Sequence, residues 1–369
     1  MYECFENVKK KLGFGCMRLP MNGENVDLVH FGKMVDMFME RGFNYFDTSH
    51  IYINGKSETA IRECLTSKYP RDSYVLTDKL SNSNFETEEE IRPLVDKMLN
   101  ACGVEYFDFL LMHAQNAAFY EKYLRCNAYE TAYQLKKEGK VRHVGISFHD
   151  TAEVLERILS EQPAVEVVQL QFNYLDYDSD RVQSRLCYEV CRRHDLPVIV
   201  MEPVRGGKLV NMPKDARLLL EELDGGSLAS YAIRFAASFE GIETVLSGMS
   251  NMEQMEDNLS YMADFKSLTD AEFEAVFKVR DILNTKDTIQ CTACEYCTAG
   301  CPMAIDIPSM FALSNRLASG EHGLRKEYRQ LVENSGKASK CADCGGCEDA
   351  CPQKLPIRKL LQRVAFEFE

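Results

Sequence analysis

The chain has 369 residues, 45% of them apolar and 27% charged, which excludes wholesale disorder and exceeds one hydrophobic core of common size. Its formal net charge of −14 argues against nucleic acid as a partner, because phosphate contacts need a surplus of Lys and Arg. Of fifteen cysteines, seven lie in residues 1–285 and eight in 286–369, unlike a secreted disulfide scaffold, which is small with cysteines throughout. Residues 286–369 carry 11 basic and 11 acidic residues, so all the net charge resides in 1–285. The first residues lack the basic-then-apolar layout of a signal peptide, and no apolar run approaches the ~20 residues that a membrane helix needs. A soluble, cytoplasmic protein without membrane contact is expected, where thiols stay reduced and clustered cysteines suggest metal.

Along residues 1–285, apolar runs of strand length fall near 12–17, 43–47, 74–78, 107–112, 141–146, 165–170, 197–201 and 243–246. Between them lie stretches of helical period, such as Leu28, Phe31, Val35 and Phe38, or Ile91, Leu94, Val95 and Met98. Gly42, Gly103 and Gly139 each follow the last periodic residue, where a left-handed cap is wanted. Thr87 with Glu90, and Asp150 with Glu153, have the spacing of capping boxes. Eight strands alternating with helices predict a (β/α)8 TIM barrel over 1–285. A doubly wound sheet is the rival, but no G-x-G-x-x-G follows a strand here.

A barrel places its site at the C-terminal ends of its strands. Those ends carry Asp47 and Tyr52 after the second run, Lys79 after the third and His113 after the fourth. Each alone reads as an ordinary loop or cap residue. Together, in Phe46-Asp47-Thr48-Ser49-His50-Ile51-Tyr52, Thr77-Asp78-Lys79 and Leu111-Met112-His113, they resemble the tetrad of the aldo-keto reductase family. The resemblance runs along most of 12–262, through Leu12-Gly13-Phe14-Gly15, Gly145-Ile146-Ser147, Gln169, Gly248-Met249-Ser250-Asn251 and Asn258. It implies reduction of a small-molecule carbonyl, or oxidation of an alcohol, with NAD(P)H.

The chemistry is coherent on its own. Hydride reduction needs a proton donor beside the nascent alkoxide, and a phenol at its usual pKa of about 10 donates poorly near neutrality. An ammonium beside it favours the phenolate, and a carboxylate holds the ammonium. Tyr52 is thus the expected acid, tuned by Lys79, which Asp47 anchors, while His113 orients the carbonyl.

For the cofactor, the resemblance implies contacts from Ser147, Gln169, Met201, Gly248, Gln254 and Asn258. Phe148 stands where relatives have Asn, Met201 where a Tyr usually stacks on the ring, and Gln254 where an Arg often sits. Residues 247–258 hold no Lys or Arg to grip a 2′-phosphate, leaving NAD versus NADP open. Arg205 and Lys208 are candidates for pyrophosphate or a solvated loop, and Arg18 for a substrate anion or a bridge between strand ends. His50 and His149 read as loop histidines on the active side. The first seven cysteines read as apolar packing, Cys16 lying nearest the expected site.

The last 84 residues carry Cys291, Cys294, Cys297 and Cys301-Pro302, then Cys341, Cys344, Cys347 and Cys351-Pro352, 50 residues on. This is the C-x2-C-x2-C-x3-C-P run of bacterial ferredoxins that bind two [4Fe–4S] clusters; zinc is the alternative for four thiolates, but zinc sites rarely use this spacing. In that run the fourth cysteine ligates the other cluster, which groups Cys291, Cys294 and Cys297 with Cys351, and Cys341, Cys344 and Cys347 with Cys301. Ile305-Asp306-Ile307-Pro308 and Leu355-Pro356-Ile357 echo one another, indicating an internal twofold. A ferredoxin-like α+β domain is expected over 286–369, with Phe311, Leu313, Leu317 and Leu324 on helices that dock on the barrel.

A hydride carries two electrons and each cluster exchanges one. Three readings stay open. The clusters exchange electrons with a redox partner protein or a flavin; they serve only to fold the tail; or the barrel is a binding scaffold for an electron carrier or redox sensor.

Overall fold

A computed structural model describes residues 2–285, 288–318 and 321–369. The chain forms two compact units. The first takes the chain up to Val204 together with Arg217–Phe277, and the second takes Arg205–Ala216 and Lys278–Glu369. The division therefore falls eight residues before the expected 285/286 boundary and assigns an internal segment to the second unit.

The first unit is a closed barrel of eight parallel strands: β1 Leu12–Gly15, β2 Tyr45–Asp47, β3 Val75–Leu80, β4 Phe107–Gln115, β5 Val141–Phe148, β6 Val167–Gln171, β7 Val198–Met201 and β8 Ile242–Ser247. Each lies within two residues of its apolar run at the N-terminal end, and β3, β4 and β5 extend two or three residues further. A two-stranded ribbon, Met21–Asn22 with Asn25–Val26, was not expected. Gly42, Gly103 and Gly139 all have positive φ, as helix ends require. Thr87 and Glu90 form a reciprocal capping box. The cap expected at Asp150 sits one residue later: Thr151 accepts the Val154 N–H, while Asp150 accepts from Ala117 and Thr151.

Strand alternation stacks the barrel interior in layers. The lower interior is apolar, formed by Tyr45, Val75, Phe109, Leu111, Val167 and Ile199. Phe5, from the turn Glu3–Phe5, seals it, with its ring 5.1 Å from Phe109. Burying such a ring contributes roughly 2–3 kcal/mol. A Cβ at Gly145 would lie 2.4 Å from Val167 Cγ1, so only glycine lets β5 and β6 close here. Two residues beyond Tyr45, and four beyond Val75 and Phe109, the same inward faces present Asp47, Lys79 and His113.

The second unit holds the helices Ile307–Ala318, Arg325–Leu331, Gly346–Asp349 and Ile357–Phe368. Ile305 and Leu355, and then Ile307 and Ile357, enter one core at equivalent points of the repeat, and each of the latter pair starts a helix. Phe311, Leu313, Leu317 and Leu324, expected to dock on the barrel, pack on this unit's own core. Among the described residues the unit has no strand, so the α+β expectation reduces to helices and cysteine loops. Outside the helices, backbone pairing there includes turns, such as Cys301 N to Thr298 O, and one long-range bond from Gly336 N to Ala304 O.

Candidate active site and cysteine centres

Asp47, Lys79 and Tyr52 converge inside the barrel. The Lys79 side chain is fully buried and its ammonium donates to Asp47 Oδ1 at 2.5 Å, to the Thr48 carbonyl at 2.7 Å and to Tyr52 Oη at 3.1 Å. Gln169, from β6, donates to Asp47 Oδ2 at 2.9 Å and so ties the carboxylate across the barrel. Burial pushes the Asp47 carboxyl up, opposed by Lys79 and by the Lys79 and Gln169 hydrogen bonds. Tyr52 is largely buried, and its ring stands edge-on to His113, with centroids 6.1 Å apart. The loop that carries it turns through left-handed Ile53 and Asn54 before helix Lys56–Ile61.

Burial first, then Lys79 and His149, holds the His113 ring well below the usual imidazole range, so it is neutral near pH 7. Its Nδ1 lies 2.6 Å from Ser81 Oγ and 3.3 Å from Ser49 Oγ. With Ser81 donating to Nδ1, the single ring N–H sits on Nε2. Neither serine was singled out in the sequence. Ser81 lies two residues past Lys79, and that spacing was the available signal.

The expected cofactor positions are unevenly arranged. Ser147 accepts the Ala114 N–H at 2.8 Å and keeps its own hydrogen, and Gln169 keeps its carbonyl oxygen for a ligand. These two residues are register partners in β5 and β6. Asn258 donates to Ser247 Oγ and accepts from Tyr261, both at 2.6 Å, and Gln254 accepts the Ser250 N–H. Gly248 packs near the Gly15 carbonyl, and Met201, half-buried, ends β7. Arg18 lies 3.8 Å from Glu202, so it bridges strand ends. Cys16 is buried, and desolvation, then Asp47, pushes its thiol far up, so it carries no thiolate.

On the opposite face of β3, Asp78 meets Glu58 and Cys102, with ligand atoms within 4.8 Å of one another and all three buried. His50, expected to be an ordinary loop histidine, places Nδ1 2.8 Å from Glu58 Oε2. Burial pushes Glu58 up to about 7, and Asp78 rises well above the carboxylate range through burial and Glu58.

In the second unit the eight cysteines line two hollows. One is lined by Cys291, Cys294, Cys297 and Cys351, the other by Cys301, Cys341, Cys344 and Cys347. Each hollow therefore draws three cysteines from one motif and the fourth from its repeat, as the spacing predicts. Burial, then the sulfurs of Cys294, Cys291 and Cys351, pushes the Cys297 thiol up, and Cys347 rises to about 11 through burial and Glu348. Four thiols crowded in this way suit a cationic core with four sulfur ligands; the exposed Glu295 also lines the first hollow, and among the described residues no histidine lines either. Arg205 and Lys208, candidates for a pyrophosphate, hold the cysteine loops instead: Arg205 donates to the Gln290 carbonyl and Gln353 Oε1, and Lys208 to Gln290 Oε1.

Residues 11–281 match the model of the aldo/keto reductase family, and residues 290–355 match a 4Fe-4S dicluster domain. Among curated proteins, the chain is similar to an uncharacterized oxidoreductase, YqkF, of Bacillus subtilis, 23% identical over 72% of this chain and 91% of that one. L-galactose dehydrogenase of Arabidopsis thaliana is 25% identical over 64% of this chain and 81% of its own length. Among solved structures, the holo form of aldo-keto reductase AKR11C1 from Bacillus halodurans is 23% identical with TM-score 0.60, covering 73% of this chain and 92% of that one. An aldo-keto reductase from Klebsiella pneumoniae in complex with NADPH is 17% identical with TM-score 0.61, covering 74% and 95%. At these identities the structural likeness establishes the shared barrel. No helix among the described residues is long and apolar enough to cross a membrane.

Proposed function

Because the chain belongs to the aldo/keto reductase family, we propose that its barrel interconverts a small-molecule carbonyl and its alcohol with a nicotinamide cofactor, and that its two iron–sulfur clusters carry electrons. The observation that carries the reading is the Lys79 ammonium, which touches Asp47 Oδ1 and Tyr52 Oη at once.

A bound nicotinamide supplies or accepts the hydride. In the reducing direction Tyr52 Oη gives its proton to the substrate oxygen, and Lys79, 3.1 Å away, stabilises the phenolate that remains. Asp47 and the Thr48 carbonyl hold Lys79 in place, and Gln169 holds Asp47. His113, neutral and oriented by Ser81, donates from Nε2 to the same oxygen as charge grows on it. In the oxidising direction Tyr52 is the base. The Ser147 hydroxyl and the Gln169 carbonyl suit the two ends of a carboxamide. The stretch 247–258 holds no Lys or Arg for a 2′-phosphate, so the assay compares NADH with NADPH.

Cys291, Cys294, Cys297 and Cys351 would hold one cluster, and Cys301, Cys341, Cys344 and Cys347 the other. Such clusters exchange single electrons, which points to a redox partner protein or a flavin as the link to two-electron chemistry. The test is anaerobic assay of the loaded chain with NADH and NADPH over a carbonyl panel, beside Tyr52→Phe. Turnover that Tyr52→Phe abolishes supports the reading, and equal turnover by both proteins removes Tyr52 from it. Cluster reoxidation on adding the oxidised substrate separates electron-carrying clusters from purely structural ones.

A further inference from the structure

The two halves of the cysteine repeat match at their ligands and differ in what surrounds them. With the 50-residue offset, Gln290 corresponds to Lys340, Thr292 to Ala342, and Gln353 to Met303. All three polar residues of the first set gather around the segment Arg205–Ala216, which folds with this unit. Arg205 is 3% exposed and its backbone is left-handed, at φ 51°. Its guanidinium donates to the Gln290 carbonyl at 3.1 Å and to Gln353 Oε1 at 3.0 Å. Gln290 adjoins Cys291, and Gln353 lies two residues past Cys351 and lines the same hollow. Gly206 presses so closely on this loop that a Cβ there would lie 2.5 Å from the Thr292 carbonyl. Lys208, half-buried, reaches Gln290 Oε1 at 2.6 Å and Thr288 Oγ1 at 3.2 Å.

Among the described residues the second hollow has no equivalent buried cation. Its arginine, Arg358, is 40% exposed along its side chain and bonds to the Glu348 carboxylate at 2.8 Å and Asp343 at 3.1 Å. Lys340, before Cys341, is exposed to solvent. A solvent-exposed cation acts weakly on a neighbouring charge, whereas a buried guanidinium acts strongly.

We infer that Arg205, assisted by Lys208, is a positioning and tuning residue that holds the cluster of Cys291, Cys294, Cys297 and Cys351 at a higher reduction potential than its partner. Each cluster gains one negative charge when it takes up one electron, and a buried cation stabilises the reduced form more than the oxidised one. The first cluster is then where an electron entering this unit comes to rest. This inference rests on the cluster reading above, and the experiment separates the two.

The loaded full-length chain is titrated anaerobically with dithionite and followed by electron paramagnetic resonance, with iron counted for each protein. Cys344→Ser, which perturbs the second site alone, assigns the signals. Two midpoints are expected in the wild type, the higher belonging to the first cluster. Arg205→Gln moves that midpoint to more negative potential and leaves the other in place, while Arg205→Lys stays close to the wild type. Eight irons with both midpoints unmoved in Arg205→Gln, or both moved equally, overturns the inference. Should Arg205→Gln load fewer than eight irons, Lys208→Gln decides: a smaller negative shift of the same midpoint supports the inference, and no shift overturns it. A wild-type chain that holds no iron and sulfide overturns the cluster reading itself.

Discussion

In the barrel, the buried Lys79 ammonium is answered entirely by protein: a carboxylate, a carbonyl and a phenol surround it, and Gln169 steadies the carboxylate from across the barrel. In the second unit, four cysteine sulfurs line each hollow and burial pushes the Cys297 and Cys347 thiols up, so the set suits a cationic core as its counter-charge. The barrel also has a continuous apolar interior beneath its polar layer, whereas the smaller unit counts Cys297 and Cys351 among the members of its core. A site balanced by its own side chains persists without its ligand. A site built from like-charging ligands depends on the metal for its fold.

The largest effect should follow from removing the metal. Anaerobic chelation is expected to unfold the second unit, seen as lost protection from hydrogen exchange in Ile307–Ala318 and Ile357–Phe368, with β1–β8 still protected. Equal protection before and after would erase the contrast between the units. Next, Lys79→Met leaves Asp47 buried without its cation, at a cost of about 3–5 kcal/mol in chemical denaturation. Adding Asp47→Asn should recover much of that loss, because no unpaired charge then remains.

Tyr52→Phe should lower kcat for carbonyl reduction by roughly 10²–10⁴-fold while leaving the denaturation midpoint near its original value. Glu58 gives a pH test. Its carboxyl, raised to about 7 by burial, holds a proton in the folded state that the unfolded chain releases above about 4.5. Stability should therefore fall as pH rises from about 4.5 to 7 and level off above it, and Glu58→Gln should remove about 2–3 kcal/mol of that fall. Asp78, raised well above the carboxylate range and facing Glu58, leaves part of the slope in place. The smallest effect is expected from Ser81→Ala, about tenfold in kcat, through loss of the contact that fixes the His113 tautomer.

The eight strands, the glycine caps and the two cysteine motifs were legible from periodicity or spacing, and the Asp47–Tyr52–Lys79–His113 set from its resemblance to the aldo-keto reductase tetrad. Ser81, Gln169 as the brace of Asp47, and the Glu58–Asp78–His50 group were not, because their partners lie 8 to 122 residues away on other strands, loops or helices. Arg205 illustrates the difference most fully. In sequence it is a basic residue in a glycine-rich loop after β7, open to a phosphate or to solvent. Only the fold brings Gln290 and Gln353, 85 and 148 residues away, to its guanidinium. The order and type of elements, and the grouping of the cysteines around two hollows, follow from the chain's local pattern. Which cation sits beside which cluster, and what holds each charged side chain in place, depends on close packing between distant segments, where a shift of about an ångström decides whether a hydrogen bond exists.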